Sequence, residues 1–400
     1  MAVREYETSR RVASRRDDRG VAEDGGERSA ELTAPKRGRL DLPFLVLTLI
    51  MLTIGVVMIL SASFARAYYT QGDPMRYFIR QTGFAGLGVA LMLVTSRLRT
   101  SLFRRAAFPA LVLSIILLAI VPFVGTKVNG ARRWIDLGIT TFQPSEIAKL
   151  AEILVFSSMI CSFKKRMREV KYGALPFMLV VAILVALLYM EPHISASVIV
   201  IALAAIMMFA GGARLWWFAA GGCLLAGGAY LTLTKFAYAS ERLTAWRNPE
   251  SVSSDQGYQI IQSLYAIGSG GLFGLGLGQG RQKYLYLPME HNDYIFSVFC
   301  EELGFIGAML VLALFAMLII RGYWLALHAR DRFGSLVVTG ITSLLALQVF
   351  LNIAVVTNMI PSTGISLPFF SYGGTALLLQ LFEMGIVLAI SREIPVSGAG

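Results

Sequence analysis

From Leu42 onward the chain alternates between long apolar runs and short polar loops. A helix that crosses the hydrocarbon of a bilayer needs about 20 such residues. Ten stretches meet or approach that length, roughly 42–63, 78–96, 106–124, 146–163, 174–190, 194–210, 215–234, 294–320, 333–356 and 374–391. The pattern predicts an all-α integral membrane protein of about ten transmembrane helices, with a long extracytoplasmic loop before the eighth. The fifth and sixth stretches are the hardest to separate, because only Glu191-Pro192-His193 divides them. Between 257 and 280 the apolar character continues but is broken by glycines. That segment reads as re-entrant or interfacial, since irregular backbone at membrane depth needs protein or a water-filled cavity around it.

Composition agrees. The 400 residues are 56% hydrophobic and 15% charged, with a mean hydropathy of +0.64. A soluble protein carries about a quarter of its residues as charges. Cys161, Cys223 and Cys300 are odd in number, lack CxxC spacing and lie in or beside apolar runs, which excludes a disulfide scaffold. The scattered cysteines and histidines argue equally against zinc.

Residues 1–41 hold ten basic and nine acidic side chains and one aromatic, Tyr6. Such a segment buries too little apolar surface to fold, so it reads as a disordered cytoplasmic tail. It is not a signal peptide, because the first apolar run begins only at Leu42 and is too long for a signal core. The expected organisation is this tail, a polytopic domain over 42–393 and a short cytoplasmic tail over 394–400. With both termini inside, twenty-four of the thirty-six Lys and Arg residues face the cytoplasm, as the positive-inside rule requires. The net charge of +11 is therefore a topology signal whose partner is the anionic membrane lipid surface, not nucleic acid. Three outward segments, 125–145, 235–293 and 357–373, are rich in polar and turn residues and are where chemistry is expected.

Charges within membrane spans are costly, on the order of 3 kcal/mol each on the mildest scale. Glu146 and Lys149, three apart at a helix start with Ser145 read as its cap, can neutralise each other. They form either a packing ion pair or the charged wall of an outward cavity. In Pro288-Met289-Glu290-His291-Asn292-Asp293-Tyr294, Asp293 sits at the mouth of a long span. Partial desolvation would raise its pKa toward that of a general base. The plainer alternative is that Asp293 caps the following helix. Pro361 to Gly374, which includes Ser371, is an uncharged Gly, Pro and Ser loop, either a rigid connector or a substrate contact. Gly274-Leu275-Gly276-Leu277-Gly278-Gln279-Gly280 has the wrong spacing for a nucleotide loop and reads as close backbone packing.

Taken together, these motifs resemble the SEDS family (shape, elongation, division and sporulation proteins). The similarity runs through Asn129-Gly130-Ala131-Arg132-Arg133-Trp134-Ile135, Phe142-Gln143-Pro144-Ser145-Glu146-Ile147-Ala148-Lys149, Leu287 to Phe296, Glu301 to Gly307, and Pro361 to Gly374, in order. The resemblance implies a glycosyltransferase that polymerises lipid II into peptidoglycan strands at the outer face of the bacterial cytoplasmic membrane. It also implies a class B penicillin-binding protein as transpeptidase partner, within the divisome or the sporulation septum. The charged tail is more similar to the division and sporulation branch than to the elongation branch. The family's essential acid falls on Asp293. Lys149, Glu146, Arg132, Arg133, Trp134, Arg80, His291 and Ser371 are the expected substrate contacts, with Lys149 foremost among the cations. A divalent cation, Mg or Mn, is suggested by the family alone, since the sequence shows no ligand cage. One motif departs: where the family has Pro-Asp-x-Gly, this chain reads Glu191-Pro192-His193-Ile194-Ser195-Ala196, with His193 for the Asp and Ala196 for the Gly, so that role is in doubt; the alternatives are that Glu191 substitutes or that a hydrogen bond from His193 takes its place. Two rival readings are a lipid II flippase and a non-catalytic scaffold that recruits the transpeptidase. The outward placement of the polar clusters and the lack of an internal repeat weigh against a transporter.

Overall fold

The protein is described by a computed structural model over residues 38–128, 131–136, 138, 140–235, 237–251 and 255–394. The expected tails, 1–37 and 395–400, and Asn129-Gly130 of the first motif lie outside the described residues. Each of the ten apolar stretches forms a helix: α1 (Leu42–Gln71), α2 (Arg76–Thr95), α3 (Thr100–Val124), α4 (Pro144–Phe163), α5 (Leu175–Met190), α6 (Ile194–Ala210), α7 (Leu215–Lys235), α10 (Ile295–His328), α11 (Arg332–Val356) and α12 (Gly374–Ser391). Two further helices, α8 (Ala237–Arg247) and α9 (Asp255–Ser269), lie in the long loop before α10.

Among the described residues, seven helices are long and apolar enough to cross a membrane: α1, α2, α3, α5 with its preceding turn, α10, α11 and α12. The other three miss for different reasons. α4 carries Glu146, Lys149 and Glu152, α6 has 17 residues, and for α7 the apolar stretch among the described residues is Leu215–Gly228.

Burial separates centre from periphery. In α11 and α12, 61% and 67% of the apolar span is buried, against 28% in α2, α3, α5 and α10. A helix buried all round belongs to the core of the bundle. α4 is of the same kind, since even its Lys149 and Glu152 are buried. The outer helices leave Phe108, Leu179, Leu310 and Ile320 exposed, the surface that lipid would cover. α12 packs on α2, α4 on α3, α10 on α11 and α1.

The segment expected to be re-entrant is the helix α9 followed by a glycine loop. α10 breaks at Gly304, whose φ of +66° and ψ of −169° are not helical. The break frees backbone groups that lipid could not satisfy, at several kcal/mol each. The glycine loop satisfies them. Leu275 and Gly276 N–H donate to the Glu301 and Glu302 carbonyls at 3.0 and 2.9 Å, and Phe305 and Ile306 N–H donate to Gly271 and Leu272 at 2.9 and 3.1 Å. A Cβ on Gly274 would lie 2.2 Å from the Glu302 carbonyl oxygen, so the approach needs glycine. Side chains hold the same loop. Glu302, fully buried, pairs with Lys283 at 2.7 Å and accepts from Ser61 of α1 at 2.7 Å. Glu301 accepts from the Arg281 N–H at 2.8 Å.

Asp41 caps α1, accepting from the Phe44 N–H at 2.9 Å, and also receives Arg321 of α10 at 2.5 Å. Gly38 N–H donates to the Arg392 carbonyl at 2.8 Å. Residues 38–41, placed in the disordered tail on composition, are thus bonded to the bundle, and the start of α1 meets the end of α12. The outer segment after α3 adds strands to an otherwise helical chain. β1 (Thr126–Val128) pairs antiparallel with β2 (Ala131–Asp136), which pairs with β3 (Thr141–Phe142).

Candidate active site

Asp293 closes the long loop just before α10. The N-cap of α10 is Tyr294, and no side chain caps the helix. Asp293 is therefore not a capping residue, the plainer of its two sequence readings. Its backbone is pinned: the carbonyl accepts from Asn352 Nδ2 of α11 at 2.8 Å, and the same nitrogen donates to the Ile365 carbonyl at 2.7 Å. Its half-buried carboxylate has no hydrogen-bond partner among the described residues. The neighbouring groups that lower its pKa are Arg242, His291 and Arg133. Burial outweighs them and raises its pKa above the ordinary carboxylate value. Gly364, at φ +70°, passes so close that a Cβ there would sit 3.3 Å from Asp293 Oδ2.

Three outer segments converge on this carboxylate. From the long loop, Arg242 of α8 donates to the Ser362 carbonyl at 2.8 Å and Trp246 Nε1 donates to the Asn358 carbonyl at 3.0 Å. These two bonds dock α8 on the last outer loop. That loop is clamped to the Asp293 segment in turn: Tyr372 N–H donates to the His291 carbonyl at 2.9 Å, and Ser371 Oγ donates to the Asn292 carbonyl at 2.8 Å while accepting from the Leu367 N–H at 2.7 Å. The Ser371 hydroxyl is thus occupied by the protein. His291 is buried, its ring 4.9 Å from that of Tyr77. It neighbours Glu290, which is buried in a two-point pair with Arg66 of α1 at 2.7 and 2.8 Å. Burial alone would raise Glu290, but His291 and Arg66 prevail and hold its pKa below the ordinary value.

From the first outer segment comes Arg133 on β2. It donates through Nη2 to the Pro192 carbonyl, and its buried Nε has no partner. Arg133 thereby joins the Glu191-Pro192-His193 turn to the site. Both Glu191 carboxylate oxygens are buried without a partner. Burial pushes Glu191 up to about 8, with Arg133 opposing. Burial, then Arg133 and Lys149, push His193 down to about 3, so it is neutral. The Gln143 amide lies 3.4 Å from His193 Nε2; as the amide N–H donates, the ring proton is on Nδ1, which has no partner.

Lys149 is buried and pairs with Glu146 at 2.7 Å. Ser145 does not cap α4. The helix starts at Pro144 with Gln143 as N-cap, so the serine lies in the first turn and its hydroxyl is buried without a partner. Glu146 lines a cavity of about 40 Å³ together with Gln348, Ser371, Tyr372, Gln380 and Glu383. The remaining expected contacts stand apart. Arg132 is exposed and tied to the Pro122 carbonyl at 2.9 Å. Trp134 is half-buried on β2, and Arg80 is exposed on α2.

Asp293, His291 and Arg133 are therefore brought together, while Glu146 and Ser371 line a cavity and Lys149 meets it only through its pair with Glu146. Arg242 was missed as a site residue, whereas Glu191 was weighed only as a replacement for the acid absent at position 193. No motif marks Arg242, and only its place on a short polar helix in the outer loop hinted at it. Among the described residues no cluster of three His, Cys, Asp or Glu is placed to hold a metal. Asp293 is a single carboxylate facing cations, a donor set that does not fit a divalent cation by itself.

Comparisons with known proteins agree with this architecture. The family model for FtsW, RodA and SpoVE, described as cell cycle proteins, matches residues 41–395. A probable peptidoglycan glycosyltransferase FtsW of Trichlorobacter lovleyi is 42% identical over 356 residues, covering 88% of this chain and 93% of the relative. Stage V sporulation protein E of Bacillus subtilis is 40% identical over 354 residues, covering 88% and 97%. A chain of a peptidoglycan synthase complex, solved for the structural coordination of polymerization and crosslinking, superposes with a TM-score of 0.75 at 28% identity, covering 90% of this chain and 99% of that one. Thermus thermophilus rod shape determining protein RodA gives 0.66 at 28% identity, covering 89% and 97%. The polar motifs, the helical bundle they sit on and these likenesses coincide over the same residues, and the chain belongs to the FtsW/RodA/SpoVE family.

Proposed function

We propose that this protein is a peptidoglycan glycosyltransferase of the bacterial cytoplasmic membrane that polymerises lipid II, with Asp293 as general base. The observation that carries the reading is the Asp293 carboxylate: fixed through its backbone, unbonded at its side chain, raised in pKa and ringed by Arg133, Arg242 and His291. A base for a sugar hydroxyl needs that combination of position and basicity.

In the reaction, the GlcNAc 4-hydroxyl of one lipid-linked molecule gives its proton to the Asp293 carboxylate. Its oxygen attacks the anomeric carbon of a second molecule, and undecaprenyl pyrophosphate leaves from the opposite face. The α-linked donor becomes a β-linked product in a single inverting displacement, with no covalent enzyme intermediate. Arg133 and Arg242 meet the charge that grows on the pyrophosphate, the electrostatic part of the catalysis. The lipid tails confine both reactants to the membrane interface and supply proximity.

The membrane faces of the bundle support placement in the cytoplasmic membrane. The meeting of Gly38 with Arg392 supports both termini on one side, which the positive-inside bias makes the cytoplasm, with Asp293 outside. The likeness to a chain of a peptidoglycan synthase complex supports a crosslinking transpeptidase as partner. A division or sporulation role follows from the FtsW and stage V relatives. The test is a gel assay of purified protein with labelled lipid II in detergent. Glycan strands formed there, with no membrane barrier present, support the enzyme and rule out a flippase acting alone. Absence of strands with and without the transpeptidase would leave the scaffold reading.

A further inference from the structure

At the end of the bundle away from Asp293 lies a second cavity, of about 910 Å³. Arg332 lines it and Asn352, which holds Asp293, is on the same helix, α11. The two are separated by about 30 Å at the helical rise. The cavity wall carries five cations, Arg104, Lys164, Lys165, Arg168 and Arg332, and one acid, Asp331.

The charges are not balanced internally. Asp331 is already engaged as the N-cap of α11, accepting from the Gly334 N–H at 3.1 Å. Arg332 spends one nitrogen on the Gly211 carbonyl at 3.2 Å. Arg104 lies over the Phe333 ring at 5.9 Å. Among the described residues, none of the five cations has an ion pair. Three of them, Arg104, Arg332 and Lys164, line the wall together with Cys161.

The surroundings define the ligand. The cavity opens between the ends of α3, α4 and α11. The neighbouring end of α6 and start of α7 expose Phe209, Leu215 and Trp216 at 64%, 70% and 62%. Phosphate-sized negative charge fits the wall, and acyl chains fit the apolar side chains beside it. Basic pockets between membrane helices recognise anionic lipid headgroups by this combination. We propose that this cavity is a binding site for the phosphate headgroup of an anionic phospholipid, remote from glycosyl transfer and independent of it.

The test is native mass spectrometry of the purified full-length chain in detergent. It is titrated with dioleoylphosphatidylglycerol, dioleoylphosphatidylcholine or inorganic phosphate. Phosphatidylglycerol should be retained at least about tenfold more tightly than phosphatidylcholine. Replacing Lys164, Lys165 and Arg168 together with Gln should weaken its retention on the order of tenfold to a hundredfold. All three side chains are exposed, so the fold should survive. Replacing Arg99, Arg105 and Arg330 with Gln removes the same charge from exposed positions outside the cavity and should leave retention unchanged. Equal losses in the two triple variants would overturn the proposal, because general surface charge would then account for the binding. Displacement of the lipid by millimolar inorganic phosphate would overturn the lipid as the source and make the cavity a free-anion site.

Discussion

Replacing Asp293 with Asn separates the catalytic role of the carboxylate from its structural surroundings. The substitution keeps the shape of the side chain. It leaves the Asn352 bond intact, because that bond is made to the Asp293 backbone carbonyl. It also removes no cap from α10. What it removes is the proposed base. General-base catalysis contributes about 10²–10⁴ in rate, or roughly 3–5 kcal/mol of barrier. The stability effect has the opposite sign from that of most active-site changes. An acid whose folded-state pKa is raised disfavours folding at every pH above that value, because its ionised form is the one burial penalises. The amide lifts that penalty at neutral pH, so Asp293→Asn should melt at the same temperature as the native protein or higher. The native rate should fall as pH drops through the raised pKa, above the ~3.9 of an ordinary aspartate. Residual activity of the variant should lack that limb. The assay is the yield of glycan strands from labelled lipid II by purified protein, alongside a thermal melt. A variant within about threefold of the native rate removes the general-base assignment, given the 10² floor. A variant that loses activity together with several degrees of melting temperature shows instead that the carboxylate holds the loop.

Three other perturbations probe the supports of the site. Lys149→Ala strands Glu146 at the cavity edge, and breaking such a buried pair should cost on the order of 3 kcal/mol; unchanged melting temperature and unchanged strand yield would show that Lys149 carries neither role. Glu290→Gln should destabilise by a comparable ~3 kcal/mol by leaving Arg66 unpaired, and a melt within one degree of the native value would contradict that account. Gly274→Ala drives a Cβ to 2.2 Å from the Glu302 carbonyl and forces a left-handed residue. It should sharply lower the yield of folded protein from membranes, and normal yield and melting would show that the loop relaxes away from the Gly304 break.

The parts of the structure legible in the sequence are those with a local physical cause. An apolar run of about 20 residues has one stable outcome in a bilayer, so ten helices could be read directly, seven of which, among the described residues, are long and apolar enough to span it. The glycine run 274–280 could be read as close packing because nothing else explains that density of glycine, although its partner, the break at Gly304, could not. Asp293 stood out because an acid at a span mouth needs a reason to be there. Its partners did not stand out. Arg242 reaches the site only because α8 docks through Trp246 and Ser362 on a loop more than a hundred residues later. Arg133 reaches it by bridging to Pro192 from a small sheet that no hydrophobic period announced. The Ser371 hydroxyl was read as a substrate contact from its loop, yet it joins two outer segments, a function that becomes visible only once both are placed.

His193 illustrates the limit of reading by motif. By resemblance it stands where an acid is expected, and its substitution put that position's role in doubt. In the fold, the acid two residues earlier, Glu191, shares Arg133 with Asp293, and burial holds Glu191 near 8. At neutral pH the turn then contributes a protonated carboxyl and a neutral imidazole, so it leaves the field of Arg133 undivided toward Asp293. A charged acid at position 193 would draw on that same guanidinium and compete for it. The departure from the family pattern therefore leaves Arg133 facing Asp293, the proposed base, with no second ionised acid in the turn to compete for it.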